Sequence, residues 1–215
     1  MSEQTLEYFW SRREIMKRNA AEVRWSHAVN SRSQLTEAIT GGYSPIHMIE
    51  ADIVMRGRDP KEPIMAHPPD TESDITLKEW LEKVKECKKG IKLDFKSLEA
   101  VLSSVVLLEE VLAQASWPVW INADILYGPG GRATPLEPQA FLFAVRNLPT
   151  HIVLSLGWTT GWTAGIDNAG YSWSMVREME EICRDLKHPV TFPVRAALLA
   201  QSLSQLTWLL QQSHR

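Results

Sequence analysis

Two carboxylates lie two residues apart in a strand-like run of apolar residues, and this pairing constrains the fold more than any other feature. The run is His-Met-Ile-Glu-Ala-Asp-Ile-Val at positions 47–54. Side chains alternate between the two faces of a strand, so Glu50 and Asp52 share one face and His47 takes the other. Unpaired carboxylates in a buried strand are costly. The pair therefore faces water or contacts a positive group, for which a divalent cation is the commonest choice.

Three further strand-like runs, at 23–26, 91–96 and 119–124, end in polar groups and precede helix-like segments. The polar groups are His27, Lys92, Asp94, Lys96, Asn122 and Asp124. In each of the last two runs the polar residues alternate with apolar ones and so share a single face. Polar groups at the carboxyl ends of several strands are typical of a parallel α/β barrel, whose active site is built at those ends.

Six strand-then-helix units are predicted from runs of β-branched and aromatic residues and from 3.6-residue periodicity. The predicted strands are 22–29, 46–54, 90–96, 118–124, 151–157 and 189–195. The predicted helices are 31–40, 76–89, 97–115, 136–147, 172–186 and 196–212. Alternating strands and helices predict a parallel sheet, because parallel neighbours need a crossover connection.

The chain length bears on barrel closure. A closed eight-stranded barrel takes about 250 residues, whereas this sequence has 215. We therefore predict an α/β fold of the TIM-type (β/α) barrel kind, incomplete, with about six strands and with the first and sixth strands as unpaired edges. The predicted domains are a helical amino-terminal extension over 1–21 and the barrel over 22–215, without its last two strand-helix units.

Local signals mark three helix starts and one unusual loop. The patterns Ser31-x-x-Gln34, Thr76-x-x-Glu79 and Thr134-Pro135-x-Glu137 fit a helix-capping box. The segment 55–75 is too long for an ordinary connection, and long loops tend to be functional. We expect it to contain a short strand near 63–67 that returns over the site and carries His67.

Composition excludes several function classes. The chain is 44% hydrophobic, enough for a substantial core, and its net charge is −3. It has no basic block, so a nucleic-acid partner is not predicted. Two cysteines far apart imply no disulfide framework. No secretory signal or transmembrane segment is predicted, which indicates a cytoplasmic protein, although secretion by another route stays open.

Several sequence blocks in one order resemble the menorin-domain family. They span about residues 23–212 and comprise Trp25-Ser-His27-Ala-Val-Asn30, His47-Met-Ile-Glu50-Ala-Asp52, Met65-Ala-His67-Pro-Pro, Gly90-Ile-Lys-Leu-Asp94-Phe-Lys96, Trp120-Ile-Asn122-Ala-Asp124, Ser155-Leu-Gly-Trp158 and Pro189-Val-Thr-Phe-Pro-Val-Arg195. That family resembles, more distantly, the PLC-like barrel phosphodiesterases that include glycerophosphodiester phosphodiesterases and venom-type phospholipase D.

The distant resemblance implies a division of roles among the residues of this chain. Its pattern of a first-strand His-x-x-Asn, a second-strand Glu-x-Asp, a loop His and a third-strand Asp-x-Lys is complete here. The matching residues are His27 with Asn30, Glu50 with Asp52, His67, and Asp94 with Lys96. The resemblance implies a metal-dependent cleavage of a small or lipid-derived phosphodiester.

In that chemistry three carboxylates, Glu50, Asp52 and Asp94, would bind a divalent metal, with Mg²⁺ first and Ca²⁺ or Mn²⁺ as substitutes. His27 and His67 would be the base and the acid. The predicted substrate-binding residues are Asn30, Lys96, Asn122, Asp124, Trp158 and Arg195.

Structural alternatives remain open for most of these residues. Glu50 and Asp52 can instead be ion-paired carboxylates, held by lysines or by Arg195. Asn122 and Asp124 can support metal ligands rather than contact substrate. Trp158, with Trp162 and Trp173, suits a quaternary ammonium group through cation–π contact, but aromatic residues near a helix start more often serve packing alone.

Two functions follow from the resemblance. The first is the phosphodiesterase. The second is a noncatalytic recognition module, because the menorin family is linked to neuronal and sensory-cell patterning or maintenance, and a fold does not establish an activity. The complete set of acid, base and metal residues favours the enzyme. Protein partners are not indicated by the sequence.

Overall fold

The computed structural model describes residues 1–41 and 45–213, and within them the chain forms one mixed sheet covered by helices. The strands are β1 (Trp25–Ser26), β2 (Met48–Met55), β3 (Pro63–Met65), β4 (Gly90–Phe95), β5 (Val119–Tyr127), β6 (Val153–Thr159) and β7 (Val190–Thr191). The α-helices are α1 (Glu3–Ser11), α2 (Arg32–Thr40), α3 (Leu77–Cys87), α4 (Leu98–Leu112), α5 (Pro138–Val145), α6 (Trp173–Cys183) and α7 (Leu203–Gln212).

The sheet has the order β1-β2-β4-β5-β6-β7, and every neighbouring pair in that order is parallel. The seventh strand, β3, pairs antiparallel with β2. This confirms the predicted α/β fold with six parallel strands in barrel order. Within the described part of the chain β1 and β7 are the edges of the sheet, and no pairing joins them.

The buried apolar residues of the described chain form two large clusters on opposite sides of the sheet and a third, small one of Val54, Ile64 and Ala66. The outward side chains of β2, β4, β5 and β6 pack under the helices in the main core, as Ile49, Leu93 and Ile121 show by their complete burial. A smaller cluster fills the inner side of the sheet at the amino ends of its strands, around Met48 and Trp120.

Helix α1 covers this amino-terminal end of the sheet. Ser2 caps the helix, its hydroxyl accepting from the Thr5 amide, and the Thr5 hydroxyl accepts a hydrogen bond of 2.9 Å from the Trp120 indole. Phe9 is fully buried, with its ring 5.3 Å from the His47 ring. Gly90 lies beside the Phe9 ring, and a Cβ added at Gly90 would collide with Met48. The helix therefore closes one end of the sheet and leaves the carboxyl ends of the strands open.

Two of the three predicted helix starts are found where the sequence placed them. Thr76 and Glu79 form a complete capping box, and the Ser31 hydroxyl accepts from the Gln34 amide. The third start is later than predicted: α5 begins at Pro138, capped by the Glu137 carboxylate. The preceding residues stay extended because the Leu136 amide donates to the Asp124 carbonyl at 2.9 Å.

The edges and the last helix also differ from the prediction. Strands β1 and β7 have two residues each, since each pairs on one side only. The helix predicted over 196–212 consists of two 3₁₀ turns followed by α7. Ser202 lies at this break, where its buried hydroxyl accepts from the Tyr171 amide and donates to the Leu198 carbonyl. No helix of the described residues is long and apolar enough to cross a bilayer.

Candidate functional site

Strand register arranges the inner polar side chains in rows across the sheet. Asp52 on β2 is opposite Asp94 on β4, Asp94 is opposite Asn122 on β5, and Asn122 is opposite Ser155 on β6. Residues paired in a parallel ladder point to the same side, so these four side chains form one row. Hydrogen bonds of 2.7 Å connect Asn122 to Asp94 and Ser155 to Asn122.

Three carboxylates converge on the inner side of the sheet. Ligand oxygens of Glu50, Asp52 and Asp94 all lie within 4.8 Å of one another. Glu50 is 2% exposed and Asp52 is 3% exposed. One oxygen of Glu50, Oε1, is buried with no hydrogen-bond partner among the described residues. A buried carboxylate oxygen without a partner is costly unless another group contacts it.

Lysines from β4 and its end offset part of this negative charge. The Lys96 ammonium bridges Asp52 Oδ1 at 2.9 Å and Asp94 Oδ2 at 2.7 Å. Lys92 is the register partner of Glu50, in the row below. Of the two carboxylates for which the sequence left an ion pair open, Glu50 and Asp52, only Asp52 contacts Lys96, which also pairs with Asp94. Glu50 Oε1 takes no part in the bridge that Lys96 makes.

The segment after β1 wraps around the two carboxylates of β2. His27 Nδ1 lies 2.7 Å from Glu50 Oε2, and the Ala28 amide donates to the same oxygen at 2.8 Å. Ala28 has φ +55°, a left-handed conformation that non-glycine residues rarely adopt. The side-chain nitrogen of Asn30, Nδ2, donates to Asp52 Oδ2 at 2.9 Å, and Asn30 Oδ1 accepts from the Asp52 backbone amide at 2.9 Å. These contacts fix both carboxylates from one side.

The loop 55–75 contains the predicted returning strand, β3. Since β3 runs antiparallel to β2, the chain comes back along β2 until the Ala66 amide donates to the Asp52 carbonyl at 3.0 Å. His67 follows directly, on the surface, with Nδ1 2.7 Å from the Pro68 carbonyl oxygen. Arg56 holds the base of the loop through an ion pair of 2.5 Å with Glu62. The loop thus carries His67 back to the level of Asp52.

Burial shifts the ionisation of several groups in the site. Burial raises the pKa of Glu50, an effect that the Asp52 charge reinforces and the Ala28 amide opposes. Burial works against the Lys96 ammonium, but the charges of Asp94 and Asp52 outweigh it and hold the pKa of Lys96 above its ordinary value.

Asp124 lies above the row, opposite Gly157. Burial, with the Asp94 charge as the next cause, raises its pKa to about 6. A Cβ at position 157 would collide with the Asp124 carboxylate. Gly157 therefore leaves the space that this carboxylate occupies, and Asp124 extends the acidic side of the site toward the strand ends.

The donor set suits a divalent cation. Glu50, Asp52 and Asp94 offer carboxylate oxygens, the ligands that Mg²⁺, Ca²⁺ and Mn²⁺ prefer. The buried Glu50 Oε1 is the observation that a bound cation would explain, since it has no hydrogen-bond partner among the described residues. These residues therefore fit a hard divalent metal, while the kind of metal is not determined by them.

The other predicted site residues are placed less centrally. Trp158 is 3% exposed and packs against Tyr171, with ring centroids 5.1 Å apart, so it belongs to the core. Arg195 lies beyond β7, where its backbone amide donates to the Tyr171 hydroxyl and its side chain donates to Thr160. Trp173 packs against Trp208 at 6.0 Å. The three tryptophans of the ammonium hypothesis thus have different surroundings.

Sequence reasoning did not assign site roles to Lys92 and Ser155. Both share the inner parity of their strands, and the register places them next to Glu50 and Asn122. They also line a cavity of about 660 Å³ that extends from His27 and Glu50 toward the amino ends of the strands. Parity already places Lys92 on the face of Asp94 and Lys96 and would have placed Ser155 in the same way, but the register that makes them neighbours of Glu50 and Asn122 is a tertiary feature.

The chain is similar to known proteins over nearly its whole length. A family model described as the menorin N-terminal domain matches residues 19–215. Human "Protein FAM151B" is 52% identical over 216 residues, covering 100% of this chain and 77% of that protein.

Among solved structures, a phosphodiesterase of Oleispira antarctica in complex with the product sn-glycerol-3-phosphate is 15% identical, covering 85% of this chain and 89% of that one, with a TM-score of 0.44. The family match confirms the resemblance found in the sequence blocks. The chain belongs to the menorin family.

Proposed function

We propose that the protein is a divalent-metal-dependent phosphodiesterase acting on a small or lipid-derived phosphodiester. The observation that supports this most is the environment of Glu50. One oxygen of its buried carboxylate, Oε2, contacts His27, and the other, Oε1, has no hydrogen-bond partner among the described residues; the carboxylate as a whole lies beside those of Asp52 and Asp94. A metal ligand that also orients a histidine is the arrangement that phosphodiester cleavage needs.

Glu50, Asp52 and Asp94 would hold the metal, and Mg²⁺ is the ion we propose, with Ca²⁺ or Mn²⁺ as substitutes. When bound, the metal would polarise a phosphoryl oxygen and offset the charge that develops on it. Lys96 already contacts two of the three carboxylates and would add a further positive charge for the phosphate.

The two histidines would move the protons. His27 Nδ1 faces a carboxylate and His67 Nδ1 faces a carbonyl oxygen, and both of these groups only accept hydrogen bonds. Nδ1 therefore carries the proton in each neutral ring, so Nε2 accepts a proton in that form and donates one only when the ring is protonated on both nitrogens. We propose that one Nε2 takes the proton of the nucleophile and the other supplies a proton to the leaving oxygen.

The remaining polar residues have supporting roles in this proposal. Asn30 and Asn122 direct their side-chain amides at Asp52 and Asp94, so we assign them to holding the carboxylates in place. Asp124 and Arg195 stay candidates for contact with the substrate. Trp158 would act through packing of the core, because its ring is buried.

A noncatalytic recognition module of the menorin family, with a role in neuronal or sensory-cell patterning or maintenance, is the second candidate. One observation favours it: Lys96 neutralises Asp52 and Asp94 internally, so part of the acidic group is balanced without a metal. A protein of this kind would bind a phosphodiester or a partner and would not cleave it.

A substrate screen separates the two candidates. The purified protein is incubated with glycerophosphodiesters, lysophospholipids and cyclic nucleotides, each with Mg²⁺, Ca²⁺, Mn²⁺ or a chelator. The enzyme proposal predicts cleavage that requires metal and that falls about 10²- to 10⁴-fold in His27→Ala.

His151→Ala is the matched control, since His151 is an exposed histidine that lines a separate cavity beside α1. It should keep the wild-type rate. Binding of a phosphodiester without cleavage under every metal would contradict the enzyme proposal and support the module. Equal rates in His27→Ala and His151→Ala would contradict the role of His27.

A further inference from the structure

Two loops at the carboxyl ends of β5 and β6 form a rigid rim that displays apolar side chains to solvent. The loops are 128–133 and 160–169, and together they line a cavity of about 630 Å³. Trp162 is 48% exposed and Ile166 is 62% exposed. Large apolar side chains that are exposed together in an ordered loop are typical of a contact surface.

Backbone hydrogen bonds join the two loops of the rim and hold the segments that carry the exposed side chains. The Gly128 amide donates to the Thr159 carbonyl and the Gly161 amide donates to the Pro129 carbonyl, both at 2.9 Å. Gly130 has φ +64°, and a Cβ on Gly161 would collide with its carbonyl group. Only glycines at these two positions let the two loops approach so closely.

The tip of the second loop is fastened by one asparagine. Asn168 Oδ1 accepts from the Thr163 amide at 2.9 Å, and its Nδ2 donates to the carbonyls of Thr163 at 2.8 Å and Ile166 at 3.0 Å. Trp162 and Ile166 lie on this fastened tip. Their exposure is therefore built into the loop rather than produced by a loose segment.

Positive charge accompanies the apolar rim. Arg132 lines the same cavity, and the Arg195 side chain donates to Thr160 at 3.0 Å. One acidic residue, Asp167, also lines the cavity. Beside the loops, Trp173 at the start of α6 is 41% exposed, with the Arg177 guanidinium 5.7 Å from its ring.

Arginines, a tryptophan and aliphatic side chains on one edge match the chemistry of a lipid interface. Indole rings settle at the level of the headgroups, aliphatic side chains enter just below them, and arginines attract anionic lipids. We infer that this rim docks the protein on the surface of an anionic phospholipid bilayer, with the carboxyl ends of the strands facing the lipid.

The inference deepens the proposed function and rests on it in one respect. If the site cleaves phosphodiesters, docking in this orientation names a membrane lipid as the substrate class, because the acidic site lies at the same strand ends as the rim. Docking itself involves no turnover and can be measured whether or not the protein is an enzyme.

Vesicle cosedimentation tests the docking. The full chain is mixed with vesicles of phosphatidylcholine alone or of phosphatidylcholine with phosphatidylserine. We expect binding to the anionic vesicles. The variant with Trp162→Ala and Ile166→Ala should bind them with an affinity lower on the order of tenfold, because neither apolar side chain can then be buried in the bilayer. Arg132→Gln should lower binding to the anionic vesicles roughly fivefold, with little effect on neutral ones.

Three controls keep the outcome interpretable. Leu102→Ala with Val106→Ala removes two exposed apolar side chains from α4 and should bind like wild type. Asp52→Asn should also bind like wild type, which separates docking from the chemistry of the site. The chain has nine tryptophans, and the fluorescence of Trp162 is obtained by subtracting the spectrum of Trp162→Phe from that of wild type. Wild-type emission should shift to the blue on anionic vesicles, and this shift should be absent in Trp162→Phe.

Failure of the wild-type chain to cosediment with the anionic vesicles would overturn the inference. So would equal binding by wild type and by the variant with both rim substitutions, provided that the two have the same thermal melt. Binding by the wild-type chain, together with absence of any phosphodiester cleavage by it in the presence of each metal, would keep the docking and reject the enzyme.

Discussion

The carboxylates and the histidines of the site differ in how the fold holds them. Glu50, Asp52 and Asp94 lie on neighbouring strands and have partners on several sides. His27 and His67 lie in connecting segments, and the His27 side chain is 79% exposed. Strands fix side chains more accurately than loops do.

This difference suggests that the two groups contribute to different properties. The carboxylates are part of the packed interior, so changes among them should alter stability and metal binding together. The histidines make few contacts and should alter chemistry without altering the fold. The predictions that follow test this division, beginning with the largest expected effect.

Lys96→Met should be the most destabilising of these changes. It removes the ammonium that bridges Asp52 and Asp94 and leaves one buried and one half-buried negative charge without it. Loss of one member of a buried ion pair costs about 3–5 kcal/mol. Urea unfolding in the presence of a chelator measures the effect, and added Mg²⁺ should restore part of the loss because the metal would replace the missing positive charge.

The control for this change is Lys83→Met on α3, where the lysine is exposed. Its free energy of unfolding should stay within about 0.5 kcal/mol of wild type. A Lys96→Met protein as stable as this control would show that the carboxylates do not depend on Lys96, and the division between interior and loop residues would fail.

Asp124 should make the stability of the metal-free protein depend on pH. Its pKa is raised from 3.8 to about 6, first by burial and then by the Asp94 charge. Between these values the folded state holds a proton that the unfolded state has lost, so the stabilisation contributed by Asp124 is fully present below about pH 4 and is lost as the pH rises through about 6. The difference corresponds to at most about 3 kcal/mol.

Asp124→Asn should flatten that part of the pH profile, as measured by urea unfolding at a series of pH values with a chelator present. Glu50, whose pKa is also raised by burial, keeps its own contribution in the variant. Asp167→Asn, a change at an exposed carboxylate, is the control and should leave the slope unchanged. An unchanged slope in Asp124→Asn would contradict the burial of this carboxylate.

His27→Ala and His67→Ala should have the smallest effect on stability. Both side chains are exposed, and the Ala28 amide still binds Glu50 when the His27 ring is removed. The free energy of unfolding should change by about 0.5 kcal/mol or less. A loss of several kcal/mol in either variant, measured by urea unfolding, would place that histidine with the structural group.

The sequence predicted the strand-borne part of the site better than the rest, for a physical reason. The alternation of side chains along a strand depends on local geometry, so it put Glu50 and Asp52 on one face with no tertiary information. The row from Asp52 to Ser155 depends on the register between four strands, which no single strand encodes. Ser155 was missed for that reason, and Lys92 was predicted on the inner face but not opposite Glu50.

Other outcomes depended on contacts that are distant in sequence. The delayed start of α5 follows from the bond between the Leu136 amide and Asp124, and a local capping pattern cannot indicate it. The burial of Trp158 follows from its packing on Tyr171. The capping box at Thr76 and Glu79 was predictable because all of its partners lie within one turn.

The central claim, that the three carboxylates bind a divalent cation, is tested most directly by diffraction from crystals grown with Mn²⁺. Anomalous difference density should show one strong peak in contact with Glu50, Asp52 and Asp94, and it should vanish in crystals of a Glu50→Gln variant. The same peak should include Glu50 Oε1 among its ligands, since that oxygen has no other partner described. An empty position between the carboxylates at saturating Mn²⁺, with Lys96 still bridging Asp52 and Asp94, would contradict the account.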